Sequence, residues 1–386
     1  MADDGVVPDR HTRARGPLAG VSVVELAMWV AGPAAGAILA EWGADVIKVE
    51  PPGGDPYRGA LNHVGIEIEP PGPLFDLDNR GKRSAMLDLR NDADRATFDA
   101  LVARADVLVT NIRPGALERL GLAPEALVAR FPRLIVGSIT GFGWSGPDRD
   151  RPGHATGAFW ARSGLAASMV PDGEMPPPLP PGTGGHEAAL ALVAGILAKL
   201  HERQTTNRGG VVEVSLFRSG VYALGSDLAA RQRYGHEPST APRTECETPL
   251  VNVYRAAGGD RFWLLCLEGD RHWQGLAASI GRPELVADGR FADAADRFTH
   301  RRELIAVLDA AFAEHPLEVL ADRFDRNGVW WEPVVDPNDV ADDPQAQTGF
   351  VGGSVATPVD FDGSAPRPGP VPAVGEHTAG IRAELD

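Results

Sequence analysis

At 386 residues and a formal net charge of −16, the chain can bury a large core and exceeds the usual span of one domain. That acidity disfavours non-specific contact with nucleic acid or anionic lipid, so an anionic ligand needs a local cationic pocket. Two cysteines, Cys246 and Cys266, cannot build a disulfide framework or a zinc site; both read as buried small hydrophobes, and no metal is expected. The stretch 1–16 is polar, lacks the apolar centre of a secretory signal, and reads as a disordered tail. No run reaches the roughly 18 apolar residues of a membrane span, so a cytoplasmic protein is expected.

The first unit reads strand, helix, strand: Val21 to Leu26, Ala34 to Trp42 behind Gly32-Pro33, and Val46 to Val49 after the Gly43 stop. So compact a unit predicts a right-handed crossover between parallel strands. The alternation continues with strands at Ser84–Leu89, Asp106–Thr110 and Leu134–Thr140, and helices at Asp92–Ala103 and Pro124–Phe131. An α/β layer with helices on both faces follows. A Gly/Pro-rich stretch from Gly141 to Gly185, interrupted at Ala158–Met169, leads into helix Ala188–Arg203, strand Val211–Val214 and helix Leu216–Tyr234.

Texture changes near residue 236. Val251–Arg255 and Phe262–Leu267 flank a Gly258-Gly259-Asp260 turn and predict a hairpin, with helices near Trp273–Ile280, Arg301–Ala313 and Leu317–Arg326. The expected organisation is a large Rossmann-like α/β domain over 17–235 and a smaller α+β domain over 236–333. A segment over 334–386 is expected to return to the large domain. No internal repeat is visible.

Several motifs lie along nearly the whole chain in a fixed order. They are Leu18 to Leu26, Ala31-Gly32-Pro33, Trp42 to Glu50, Asn79 to Ser84, Asn111 to Arg119, Gly141-Phe142-Gly143 with Gly146-Pro147, and Gly375 to Thr378. In these the chain resembles the class III CoA-transferases, a family that includes formyl-CoA transferase, carnitine CoA-transferase and α-methylacyl-CoA racemase. The resemblance implies a Rossmann-like large domain, a small domain and an interlocked homodimer. It implies a coenzyme A thioester and a carboxylic acid as substrates. By the same resemblance Asn79, Arg80, Lys82, Asn111, Ile112 and Arg119 line the nucleotide. Val30, Ala31, Thr140, Gly141, Phe142 and Gly143 lie along the pantetheine arm.

Physical chemistry points the same way. Coenzyme A carries a pyrophosphate and a 3′-phosphate, which call for clustered cations. Arg80, Lys82 and Arg83 form one cluster, and Arg113 and Arg119 follow a strand at its carboxyl end, where open α/β sheets bind ligands. Two positions depart from the family: Pro51 stands where an arginine is common, and Thr140 where formyl-CoA transferase has a lysine.

The turn Pro181-Gly-Thr-Gly-Gly-His-Glu187 matches the place where the family carries a nucleophilic aspartate. That aspartate falls on Gly185, or on Gly184 with a shifted gap, and glycine closes the aspartyl route. Glu187 is a surrogate if the match is Gly184, because a helix turns about 100° per residue and brings it near the same face. If the match is Gly185, Glu187 points roughly 200° away. His186 is a further candidate, as is His154, which falls where the racemase carries a catalytic histidine. The expected function is CoA transfer from an acyl-CoA to a carboxylic acid. The alternatives are other acyl-CoA chemistry with His154 or Glu187 as base, and an inactive CoA-binding subunit.

The loop from Gly53 to Pro73 could cover the site, and Trp330-Trp331 could line an acyl pocket or pack in the core. Glu50 sits where a dinucleotide enzyme holds a ribose, but no G-x-G-x-x-G turn accompanies it.

Overall fold

In the computed structural model, residues 16–235 and 240–386 are described. The expected tail, up to residue 15, and the expected boundary at 236 lie outside them. In chain order the elements are β1 Ser22–Leu26, α1 Ala31–Glu41, β2 Asp45–Glu50, α2 Pro73–Asn79, β3 Arg83–Met86, α3 Asp92–Arg104, β4 Val107–Thr110, α4 Pro114–Arg119, α5 Pro124–Arg130 and β5 Ile135–Thr140. A π-helix, Ala155–Ala161, and the single turn α6, Leu165–Ser168, lead to the long helix α7, Thr183–Thr206. Then come β6 Gly210–Ser215, α8 Leu216–Ala223, α9 Gly225–Tyr234, β7 Val251–Arg255, β8 Arg261–Leu265, α10 Gly269–Ser279, α11 Ala294–Thr299, α12 Arg301–Phe312, α13 Leu317–Arg326, β9 Trp331–Pro333 and α14 Thr378–Ala383.

Side-chain alternation sorts each central strand between two cores. Val23, Val46, Val107 and Ile135 face a core completed by α1 and α7. Their neighbours Val24, Ile47, Leu108 and Val136 face a second core with Phe98, Leu101, Leu117 and Leu127. Strands buried on both faces are a property of parallel sheets. The six strands are parallel in the order β3-β2-β1-β4-β5-β6. This is the doubly wound order, and its direction reverses between β1 and β4, the switch point where such sheets bind ligands.

Two contact units emerge. The first holds the chain up to Ala166, Pro177–Ser226 and Pro344–Asp386; the second holds Ala167–Pro176 and Asp227–Asp343. Within the second, β7, β8 and the unanticipated β9 form an antiparallel sheet. Phe262, Phe312 and Phe324 interlock edge to face or tilted in its core, joined by Trp331. Trp331 is thereby core packing, and Trp330 stacks on His272. Cys266 is buried, which pushes its thiol up to about 11, and Cys246 is partly exposed; both are free.

The structure differs from the sequence reading at the helix starts. The helix expected from Ala188 begins at Thr183, because Gly182 takes the left-handed conformation (φ 86°) that turns the chain into it. The helix expected over Leu216–Tyr234 breaks into α8 and α9. Two short helices, α2 and α4, each open on proline, where the missing N–H costs no hydrogen bond.

The carboxyl ends of β1 and β2 are tied by a buried ionic network. Lys48 Nζ lies 2.9 Å from Glu25 and 2.9 Å from Asp55, and Lys82 Nζ lies 2.7 Å from Glu25, all with fully buried side chains. Lys82 also donates to the carbonyls of Pro33 and Asp78 and to Asn79 Oδ1. Burial pushes the Glu25 carboxyl up, but the two lysines outweigh it and hold it below its ordinary value. Burial likewise drives Lys82 down to about 8, against the pull of Glu25. Nearby, Arg58 grips Glu50 with two hydrogen bonds of 2.9 and 2.7 Å, and Ser84 Oγ donates to the same carboxylate. Glu50 is therefore spent inside the fold.

Helix α1 passes over this network at Gly36, where a Cβ would stand 2.0 Å from Glu25 Oε2. Gly36→Ala is expected to destabilise the protein by about 1–3 kcal/mol through overpacking, read as a lower denaturant midpoint at unchanged slope.

Candidate active site

At the switch point Asn111, just past β4, spans to the chain leaving β1. Its Oδ1 accepts from Met28 N at 3.0 Å and its Nδ2 donates to Met28 O at 2.5 Å. Asn111 thus fixes the loop that carries Trp29, Val30 and Ala31. Trp29 has φ 67°, unusual for a bulky side chain and costly by about 1–3 kcal/mol. The conformation is held because Trp29 N donates to Asp55 Oδ1 at 3.1 Å, and Asp55 is anchored by Lys48 and caps the turn at Tyr57. The Trp29 ring, 38 % exposed, lies 6.1 Å from Tyr57 and 6.3 Å from the edge-on His154 ring. Burial, with Asp78 and Asp55 nearby, raises the Tyr57 hydroxyl to about 12, so it stays neutral.

His154 reaches this place because two loops cross at glycines. A Cβ on Gly141 would stand 2.7 Å from Gly153 Cα, and one on Gly153 2.5 Å from Gly141 Cα. Thr140 Oγ1 accepts from Gly143 N at 2.7 Å, and Phe217 N donates to Gly141 O at 3.0 Å, so this turn is fixed. The Phe142 ring packs against Phe217 and beneath Arg162. His154 then opens the π-helix, a rare form often found at functional positions.

The start of α7 completes the arrangement. A Cβ on Gly185 would stand 2.7 Å from Val30 Cγ1 and 3.6 Å from Ala31 N. A Cβ on Gly184 would stand 2.5 Å from Cγ of the buried Phe159. Gly185 is therefore the one that looks towards the β1 loop, and Gly184 looks into the core. Glu187, two residues on from Gly185, lies about 200° round the helix from it. It is partly buried, and desolvation raises its carboxyl.

His186 points elsewhere. Its Nε2 meets Oδ1 of the buried Asp78 at 3.0 Å. That hydrogen bond holds the imidazole above its ordinary range, while burial pushes Asp78 up and His186 pulls it back. Asp78 in turn joins the buried network through its carbonyl and Lys82.

The cations expected to hold phosphate fall into two groups. Lys82 is buried on Glu25, Arg80 on Glu41, and Arg83 is bridged to Asp45 and Glu384. Asn79 is fully buried, donating to Phe75 O and accepting from Lys82. The side chains of this group are paired within the fold. Arg113 and Arg119, beside the half-buried Ile112, are exposed. Among the described residues Arg113 donates only to the carbonyl of Asp150 and Arg119 has no ion pair. Trp29 and Asp78 escaped the sequence reading, and Asp55 and Tyr57 entered it only as part of the Gly53–Pro73 loop, with no role of their own. The left-handed turn at Trp29 leaves no local signal, and Asp78 sits in a helix that the pattern does not reveal. Among the described residues there is no group of His, Cys, Asp or Glu suited to a metal, and no helix is long and apolar enough to cross a membrane.

Because His186 is raised, its contribution to stability is complete below about pH 6.5, the ordinary histidine value, and fades as pH rises through its folded midpoint. An NMR titration is expected to place the His186 midpoint above that value, and Asp78→Asn to bring it down.

Three comparisons bear on the identity of this site. The family model described as CoA-transferase family III matches residues 18–382. The (R)-2-hydroxy-4-methylpentanoate CoA-transferase of Clostridioides difficile is 32 % identical over 384 residues, 95 % of each chain. The cinnamoyl-CoA:phenyllactate CoA-transferase of Clostridium sporogenes is 36 % identical over 275 residues, 70 % of this chain and 66 % of the relative. The crystal structure of a CAIB/BAIF family protein from Brucella suis superposes with a TM-score of 0.82 at 31 % identity, over 96 % of this chain and all (100 %) of the other. With a match that runs nearly end to end and a fold to go with it, this chain belongs to the CoA-transferase family III.

Proposed function

We infer that the protein moves coenzyme A from an acyl-CoA to a carboxylic acid, working as an interlocked homodimer. The observation that carries this reading is the family match over residues 18–382. Support comes from the switch-point loop of Trp29, Val30 and Ala31, bordered by His154 and Gly185, with Arg113 and Arg119 exposed after β4. Those two arginines suit the phosphates of the nucleotide, and Val30, Ala31 and the Thr140–Gly143 turn suit the pantetheine arm.

With glycine at 185, the acceptor supplies the carboxylate. Its oxygen attacks the thioester carbonyl, the C–S bond breaks, and the coenzyme leaves as thiolate. The thiolate then attacks the acceptor's carbonyl in the mixed anhydride, forming the new thioester and releasing the donor acid. Both substrates must be bound together. Steady-state kinetics with a panel of acyl-CoAs and acids are expected to give intersecting double-reciprocal lines, and intact mass no enzyme-bound CoA. Parallel lines with a covalent adduct would overturn this route.

A second reading, proton abstraction from an acyl-CoA by His154, is favoured by that residue's place beside Trp29. It predicts deuterium uptake at the α-carbon without an acceptor acid, a result the transfer reading excludes. Glu187 fits such a role poorly, since it lies on the far side of α7 from Gly185. Tight CoA binding with neither reaction would identify a catalytically inactive subunit.

Two variants follow. Arg119→Ala is expected to raise the KM for acyl-CoA about tenfold with kcat little changed, as loss of one charge-assisted phosphate contact requires. Gly185→Asp combined with Val30→Ala, which clears the space beside the new side chain, is expected to generate a covalent enzyme–CoA adduct visible by mass. Gly184→Asp meets the buried Phe159 and is expected to lower the melting temperature without producing one.

A further inference from the structure

The wall beside the β1 loop is aromatic. Trp29 is partly exposed and fixed on both sides: Asn111 holds the preceding residue, and Asp55 holds its own N–H. Its ring meets Tyr57 and His154. Three cations stand in the neighbouring network, and none is open to a ligand: Lys82 is fully buried on Glu25. Lys48 is fully buried between Glu25 and Asp55, while Arg58 is buried on Glu50 and the carbonyl of Pro372. The exposed arginines Arg113 and Arg119 lie after β4, on the other side of β1 from β2 and its Tyr57 loop. A ligand whose phosphates lie over β4 and whose thioester reaches the β1 loop therefore turns its acyl group towards Trp29 and Tyr57.

We propose that Trp29 determines acyl specificity, its ring taking the face of a planar, uncharged acyl group such as an aromatic or conjugated one, and that a second carboxylate on the acyl chain finds no open lysine or arginine there. This rests on the acyl-CoA reading above. A fixed aromatic ring favours a flat apolar partner by offset stacking or edge contact. An acyl carboxylate would instead lose water without gaining a lysine or arginine, because the three cations of that network are already paired.

The test is calorimetric binding of benzoyl-CoA and succinyl-CoA to the full chain and to Trp29→Gly, which suits the left-handed backbone and should keep the fold, as a thermal melt verifies. The wild type is expected to prefer benzoyl-CoA. Trp29→Gly is expected to weaken benzoyl-CoA about tenfold and succinyl-CoA less than about threefold, and Trp29→Tyr to restore most of the difference. Equal losses for both thioesters, or a wild-type preference for succinyl-CoA, would overturn the assignment while leaving the CoA-transferase reading intact. Failure of the wild type to bind either thioester would remove both.

Discussion

Two buried lysines facing buried carboxylates hold together the part of the molecule where chemistry can occur. Ions removed from water cost several kcal/mol each unless their partners are close and their remaining hydrogen bonds are filled. Glu25, Lys48, Lys82 and Asp55 meet that condition through direct pairs and through the carbonyls of Ala27, Pro33 and Asp78. Such a network adds little net stability compared with an apolar core of equal volume. What it supplies is position. Glu25 belongs to β1, Lys48 to β2, Asp55 to the loop after β2, and Lys82 to the entry of β3, so one cluster fixes the relative height of three strand ends.

The loop after β1 inherits its shape from that cluster. Asp55 spends one oxygen on Lys48 and the other on the N–H groups of Trp29 and Tyr57. Through this contact a left-handed tryptophan persists at the end of β1. On the far side Asp78, whose carbonyl receives Lys82, holds His186 and so pins the first turn of α7. Gly185 in that turn then faces Val30. Loop and helix start are two ends of one chain of charges and hydrogen bonds.

The strands were legible because parallel-sheet strands read as β-branched apolar runs: Val107 to Val109 is unbroken, and Val23 to Leu26 and Val46 to Val49 are each interrupted by a single charge, Glu25 and Lys48. The start of α7 was not, because glycines at 184 and 185 are poor helix formers and read as a loop. Packing against Val30 and Phe159 overrides that preference. The cations divide in the same way. Arg113 and Arg119 read as ligand-facing and are exposed, whereas Lys82 and Arg80 read alike in sequence and are consumed by Glu25 and Glu41.

Residue order alone carries the alternation of strands and helices, the parallel sheet, and a family resemblance borne by motifs from Leu18 to Thr378. Hydrophobic period and turn chemistry are local and survive translation into a string. Which charges remain available, which of two glycines looks towards the β1 loop, and that a tryptophan stands there emerge only once the chain is folded. Each depends on partners far apart in the chain, and a buried charge is identified by the opposite charge the fold brings to it.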